Sequence, residues 1–509
     1  MKRTAKDIAI YFPGKLLPAL TSLITVPIFA RLFKPEEYGV LAVIGVFTAA
    51  GGIAVGNWLT SSVMRFLPYY KRQGQLDRFY SSLLFAFALS IVALGLLGVP
   101  VYLLVKNTVS PEVYRLLPLA GIIIAASSLF GIFQTVLRAN QQAAWFVGFE
   151  LAQVYGSLAI GLSLVILLGF GVEGILWGTV AAVLTTNVGI GWWLTRHGMR
   201  VSPGSVSFVT LKEFAAYGLP GCAATIGTWI LSLSDRYIIE YFRGSAEVGL
   251  YSMGGNIASK SITLVISSLM LAIGPVLINT WESENREHTE ALLGQLTRLA
   301  ILLVLPMVVG LSVLANPIFQ VLTTSAYLPG AAVLSWVSLG AFIYGLSLLA
   351  YTGLILAKKT VTMAQNYLLA GIVNVVLNLL LVPRFGFVAA AVNASIGYAI
   401  LLALNVVSAK RYLPWRIPWR SLRNALVAAG VMAIVLGGWA MRVPATIVTL
   451  VSGVLIGAAV YFTMLAVLRE LTSEEKMMFQ RILTGFWERN VGCWALWVAK
   501  RAKMGNLRR

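Results

Sequence analysis

Charge is scarce in this chain, and negative charge scarcer still. Only 11% of its 509 residues are charged, with 19 Asp and Glu against 39 Lys and Arg. Soluble domains carry about 25% charged residues, so a water-facing globular protein is excluded. Cysteine and histidine number two each. Cys222 lies in an apolar segment and Cys493 near the C-terminus, which leaves no disulfide framework. His197 and His288 stand in separate loops, so no Cys/His metal set forms. No GxxxxGK loop followed by Ser or Thr is present to cradle a nucleotide phosphate. GxSxG and HExxH are absent too, and no large loop pairs its acids. An enzyme is not expected, and neither is a cofactor or a metal.

Apolar sequence is what the chain has instead. Hydrophobic residues make up 58% of it, and the mean hydropathy is +0.83. A spanning helix needs about 20 apolar residues. About fourteen such segments are expected, near 8–31, 39–63, 81–104, 116–137, 146–168, 174–195, 214–240, 248–280, 299–322, 331–356, 361–382, 387–409, 424–441 and 445–468. The fold class is therefore an all-α polytopic membrane protein. With fourteen spans and the N-terminus inside, 29 of the 39 Lys and Arg fall on the inner side and eight on the outer. That asymmetry places both termini in the cytoplasm. It also accounts for the net charge of +20 without nucleic acid. Glu282, Glu284, Glu287 and Glu290 lie in an inner loop against this trend, but acids contribute little to orientation. The basic, then apolar, N-terminus holds prolines and Lys15 and lacks a small-residue cleavage site. It reads as a retained first helix.

The chain repeats itself weakly. YFPG at 11–14 opens the first span and YGLPG at 217–221 the seventh. ARLFKPEEYG at 30–39 follows the first span and IEYFRGSAEVG at 239–249 the seventh. LLGFGVEGILWGT at 167–179 echoes LVPRFGFVAAAVNAS at 381–395. Two halves of six spans start on the same side, so the repeats are parallel, about an axis along the membrane normal. Substrate sites in such proteins lie at the repeat interface. The expected units are 1–200, 201–415, an extra pair of spans at 416–470, and a basic tail at 471–509. Within the tail, Trp487, Trp494 and Trp497 recur at helical spacing with Phe479, Leu483 and Phe486. The segment 477–500 reads as an amphipathic helix on the inner leaflet, or as a partner-binding helix.

The RLFKPEEYG hairpin, the stretch from YGLP through LSLSDRYIIEYFRG to EVGLYS at 217–252, and the fourteen-span layout resemble the polysaccharide exporter family. That family holds the O-antigen flippases and belongs to the multidrug/oligosaccharidyl-lipid/polysaccharide flippase superfamily. The resemblance implies two six-helix bundles around a central cavity, with the last two helices outside them. It also implies outward translocation of an undecaprenyl-pyrophosphate-linked oligosaccharide across the bacterial inner membrane by alternating access. Membrane lipids and polysaccharide assembly proteins are the other partners it implies.

Lys260 is the most informative single residue. It sits in the middle of an apolar stretch, where a charge costs roughly 2.5 kcal/mol or more and is functional by default. Ser252, Asn256, Lys260, Thr263 and Ser267 share one helical face, a polar stripe suited to a wet cavity and an anionic ligand. The alternative is that Lys260 pairs with an acid on a neighbouring helix. Thr225, Thr228, Ser232 and Asp235 share a face of the seventh span, with Arg236 about 100° around. Asp235 is both the expected partner of Lys260 and the candidate for ion coupling. Alternatively Asp235 and Arg236 anchor the helix end, with Arg236 paired to Glu240.

Lys15 either lines the cavity or snorkels to the headgroups. Arg65, Arg138 and Arg298, with Asn57 and Asn140 nearby, sit at inner span ends as headgroup anchors or as an entry funnel for a pyrophosphate. Arg31 offers the same at the outer mouth. Pro13 and Gly14 in the first span, and Pro220 and Gly221 in the seventh, are the hinge candidates. In-span charges sum to about +2, from Lys15, Asp235, Arg236 and Lys260, which suits an anionic substrate over a cationic drug. A cation-coupled drug exporter or a lipid II flippase is the alternative within the superfamily. A glycosyltransferase or ligase would need a large outer loop, which the sequence lacks.

Overall fold

The computed structural model describes residues 17, 21, 24–283 and 286–470. Pro13, Gly14, Lys15 and the tail at 471–509 lie outside the described residues. All regular structure among the described residues is helical. A helical stretch over 24–32 leads into α1, Pro35–Arg72. There follow α2 (Leu76–Leu104), α3 (Pro111–Ala139), α4 (Ala143–Leu168) and α5 (Gly171–Arg196). The second half holds α6 (Phe208–Arg243), α7 (Ser245–Ser283), α8 (Arg286–Val313), α9 (Ala331–Ala350) and α10 (Thr360–Ala409). Two more, α11 (Trp419–Ala440) and α12 (Ile447–Val467), close the described chain.

Among the described residues, ten helices are long and apolar enough to cross a membrane, or eleven when the bent α6 counts as one span. Three features separate this number from the fourteen expected segments, and one is that α7, which carries 248–280, is not among the eleven. The first segment lies mostly outside the described residues. The segments 361–382 and 387–409 run together in α10, where the expected PRFGF loop shrinks to a break at Gly386. Gly386 has φ 65° and ψ −158°, a backbone conformation that glycine adopts without Cβ strain.

Local chemistry sets the helix starts. Pro35 begins α1, and the Glu37 carboxylate accepts the Lys34 N–H at 2.8 Å. Ser110 caps α3, again with proline in the first turn. α4 and α5 meet along glycines: a Cβ at Gly178 would stand 2.3 Å from the Gly161 nitrogen. Such small-residue seams hold helices together in lipid, where apolar burial supplies no drive. On the outside of the bundle α2 exposes Leu96, Leu97 and Leu104, and α12 exposes Ile447 and Val448. These faces suit hydrocarbon.

Three large apolar clusters, and a small fourth around Leu231, Tyr367, Ala370 and Leu401, fill the interior. One gathers α7, α8, α9, α11 and α12, and takes in Val26, Ala30, Phe33 and Tyr38 from the first half. A second joins α1, α2, α3, α4 and α5, and takes in Phe214 from α6. A third runs through α1, α3, α5, α6, α7, α9 and α10. Each half thus lends residues to the core of the other. The start of α6 lies on the first half, where a Cβ at Gly218 would meet the Trp58 carbonyl oxygen at 2.2 Å.

α11 and α12 are fastened to α8 at one end by Glu470. Its carboxylate accepts from Arg298 Nε at 3.1 Å, Ser421 Oγ at 2.5 Å and Asn424 Nδ2 at 2.8 Å. Burial alone would raise this carboxyl, but these donors outweigh it and hold it below the usual glutamate range. A depressed carboxyl stabilises the fold above its ordinary value near about 4.3 and ceases to do so as pH falls through the lowered value. In detergent at neutral pH, Glu470→Gln should melt about 2 °C below the parent protein. The gap should close as both are titrated to below roughly pH 4. A gap that persists in acid would mean that shape, not charge, makes this contact.

Candidate functional site

α1, α6 and α7 pack together between the two halves. At the predicted outer end the two halves meet reciprocally. A Cβ at Gly39 would stand 1.8 Å from the Ser245 carbonyl oxygen, and one at Gly249 would stand 1.9 Å from that of Pro35. Adding 210 to 39 gives 249, and adding 210 to 35 gives 245, so the repeat exchanges these two contacts. Surfaces related by a two-fold axis meet in this way.

Polar bonds surround the contact. The Ser110 N–H donates to Glu240 Oε1 at 3.0 Å, and Ser245 Oγ donates to the same carboxylate. Arg243 Nε reaches Glu247 at 2.8 Å, and the other Glu247 oxygen accepts the Phe387 N–H at the Gly386 break. Tyr327 donates its hydroxyl proton to the Phe33 carbonyl at 3.1 Å.

Deeper in, Asp235 is 2% exposed. It accepts from the Tyr251 hydroxyl of α7 and from the Arg236 N–H. The Arg236 guanidinium stands 3.3 Å from the same carboxylate, donates to the Ser232 carbonyl, and lies over the Tyr251 ring at 5.4 Å. A buried carboxylate is tolerated only when paired and hydrogen-bonded in this manner. Asp235 is therefore committed to Arg236 and Tyr251, and the expected bond to Lys260 does not form. The Arg236–Glu240 alternative does not form either, since Glu240 is held by Ser110 and Ser245. Lys260 is half-buried on α7, about 22 Å along the helix from Ser245. It makes no hydrogen bond or ion pair among the described residues. It is an interior cation whose positive neighbour, Arg236, is already neutralised.

The other predicted residues divide. Asn256 donates to the Tyr38 hydroxyl at 2.7 Å and so ties α7 to α1. Ser252 is 1% exposed with an unpartnered hydroxyl, because the outer part of α7 is pressed against both α1 and α9. It does not line an open cavity, contrary to the periodicity reading. Asn57 is expected near Arg65 at the inner end of the 39–63 span; α1 runs on to Arg72, so Asn57 sits deeper in its helix than that span implies. Arg31 and Arg65 are exposed, at separate levels of the bundle, and neither joins Lys260.

Pro220 and Gly221 sit just before a 42° bend between Phe208–Cys222 and Thr225–Arg243. Proline removes a backbone donor there, and the space around Gly221 is open. Opposite the bend, α1 makes a π-turn over Ile53–Asn57. The Cys222 thiol faces the Ile53 carbonyl, and Asn57 Nδ2 donates to Thr225 Oγ1 at 2.8 Å. A π-turn beside a helix bend is a common mark of a functional position.

Sequence reasoning missed Tyr38 and Tyr251, which the composition counts among the hydrophobic residues. It also missed Gly39 and Gly249, although the repeat register carried them. No group of three potential metal ligands occurs among the described residues.

Comparison with known proteins agrees with this geometry. Agl15 of Haloferax volcanii, named as a probable low-salt glycan biosynthesis flippase, is 22% identical over 297 residues, 58% of this chain and 61% of its own. The succinoglycan biosynthesis transport protein ExoT of Rhizobium meliloti is 24% identical over 310 residues, 60% of this chain and 59% of its own. The matched stretch thus spans about three-fifths of these relatives' lengths. The solved structure of the lipid II flippase MurJ in an inward closed conformation superimposes with a TM-score of 0.72 at 18% identity, over 90% of this chain and 98% of that one. The fold is therefore that of this solved structure. The family described as "Polysaccharide biosynthesis protein" matches residues 28–332, more than half of the chain, and the chain belongs to that family.

Proposed function

We propose that this protein is a flippase that carries a lipid-linked oligosaccharide across a membrane for polysaccharide biosynthesis. The observation that carries the reading is Lys260, an unpaired interior cation where two repeat-related halves meet. A pyrophosphate linking lipid to glycan supplies the complementary charge, and undecaprenyl pyrophosphate is the carrier proposed. Glycan biosynthesis roles named for Agl15 and ExoT support the substrate class. The protein acts as a transporter, not as an enzyme, and its membrane is the bacterial inner membrane with both termini cytoplasmic.

Alternating access is the mechanism proposed, and three features support it. The reciprocal glycine contact shuts the predicted outer end. The bend after Pro220–Gly221, facing the α1 π-turn, is the hinge, and Asp235 is the candidate group for ion coupling. Lys260→Ala and Lys260→Glu should lower surface glycan by roughly tenfold or more at normal membrane abundance, since removing one member of a desolvated charge pair costs several kcal/mol. Lys260→Arg should keep part of the activity. Undiminished export by Lys260→Ala at native expression would remove the pyrophosphate assignment.

A further inference from the structure

A second feature of the interior lies between α1 and α3, away from every charge discussed above. The π-turn of α1 and the middle of α3 border a groove of about 450 Å³. That volume falls within the roughly 300–1,000 Å³ of small-molecule sites. Thr48, Asn57, Thr60, Ser127 and Ser128 line it, and no ionisable side chain does among the described residues. Gly52 and Gly56 form part of its wall, so a ligand there meets bare backbone instead of side chains.

Ser128 is the telling member. Hydroxyls on buried helices usually bond back to the carbonyl four residues earlier, as Ser62 does to Trp58 and Thr135 to Gly131. Ser128 is 6% exposed, yet its Oγ bonds to nothing among the described residues. An unpaired hydroxyl in a low-dielectric interior is costly; this one packs on Gly56, where a Cβ would stand 3.3 Å from it, so a ligand in the groove reaches it only by parting that seam. Asn57 also ties the groove to the translocation path, since its amide crosses to Thr225 on α6 beside the bend.

The geometry points to a saccharide subsite in this groove, taking a neutral sugar of the glycan while Lys260 takes the pyrophosphate; this rests on the flippase reading above. Hydroxyl and amide side chains match the donors and acceptors of sugar hydroxyls. The absence of ionised groups suits a neutral ring. Ile123 and Ile124 offer apolar surface for its C–H face. Charge recognition and glycan recognition then occupy different walls of one interior.

Binding by the purified full-length protein tests this, with farnesyl pyrophosphate as one probe and the same lipid carrying an N-acetylglucosamine trisaccharide as the other. The parent protein should hold the sugar-bearing probe more tightly. Ser128→Leu fills the groove, while Thr60→Val and Ser127→Ala remove hydroxyls with little change of shape. Each should weaken the sugar-bearing probe by roughly tenfold and leave farnesyl pyrophosphate binding unchanged. Equal weakening of both probes, weakening of neither, or a parent protein indifferent to the sugar would each overturn the subsite. Lys260→Gln reports separately. If it binds farnesyl pyrophosphate as the parent does, the pyrophosphate reading fails, and the sugar-bearing probe alone still decides the groove.

Discussion

Gly249→Val is expected to abolish glycan export while the protein still reaches the membrane. The backbone of α1 leaves no room for any side chain at this position, because a Cβ would lie 1.9 Å from the Pro35 carbonyl oxygen. Backbone oxygens cannot rotate aside as a flexible side chain can. Overpacking a tight contact costs about 1–3 kcal/mol, occasionally more, which shifts a two-state equilibrium by roughly 5- to 150-fold. The penalty falls only on the state in which the outer ends touch, so the population should move to one with that end parted. A cysteine placed at Glu36, exposed beside the contact, should then react faster with an impermeant thiol reagent in cells, in a background without the native cysteines. Gly39→Val should behave alike, since it meets Ser245 in the same way. Gly45→Ala is the control, with nothing within 4 Å of its Cβ. Full export by both valine variants would mean that the outer ends need not close during transport.

The second large effect concerns Asp235. Asp235→Asn leaves the Arg236 guanidinium, 15% exposed, without its counter-ion. Breaking a buried pair by removing one partner costs roughly 3–5 kcal/mol, enough to deplete the folded protein. Adding Arg236→Gln should restore membrane abundance, because no charge is then stranded. Adding Lys260→Gln should not, because Lys260 has no bond to Asp235. Abundance of the two double variants, measured side by side, decides between the pairings. Rescue by Lys260→Gln and not by Arg236→Gln would return Asp235 to Lys260. If the Asp235→Asn, Arg236→Gln protein reaches the membrane but exports nothing, the carboxylate has a role in transport beyond holding the arginine.

How far the sequence carried the structure depends on the kind of interaction. Spans are legible because the bilayer rewards apolar length, and most segments fall within helices. The errors come where a helix runs on through polar residues. The sequence places Asn57 near Arg65, close to the inner end of a span that stops at 63, yet α1 continues to Arg72 with a π-turn that hydropathy does not register. PRFGF looked like a loop, yet one left-handed glycine is enough to divide α10. The partners of Asp235 were illegible for a different reason. Helical spacing puts Arg236 on another face, but its long side chain curls back, and Tyr251 arrives from the next helix. Contacts across helices depend on packing that no single period encodes. The bend after Pro220–Gly221 was readable from residue chemistry alone. The unpaired hydroxyl of Ser128 was not, since it depends on where α1 lies.

The glycine contact also bears on how such a chain arose. A surface that meets its own repeat copy is self-complementary. A polypeptide half this length, carrying one such glycine in the first turns of its second span, would pair with its twin through the same atoms. Gene duplication followed by fusion would then require no new joint, only a linker. Once fused, the two copies are free to diverge wherever they do not touch. The polar machinery has done so, with Asp235, Arg236 and Lys260 all in the second copy and the hydroxyl-lined groove in the first. At the seam itself neither copy can change alone, and glycine persists in both.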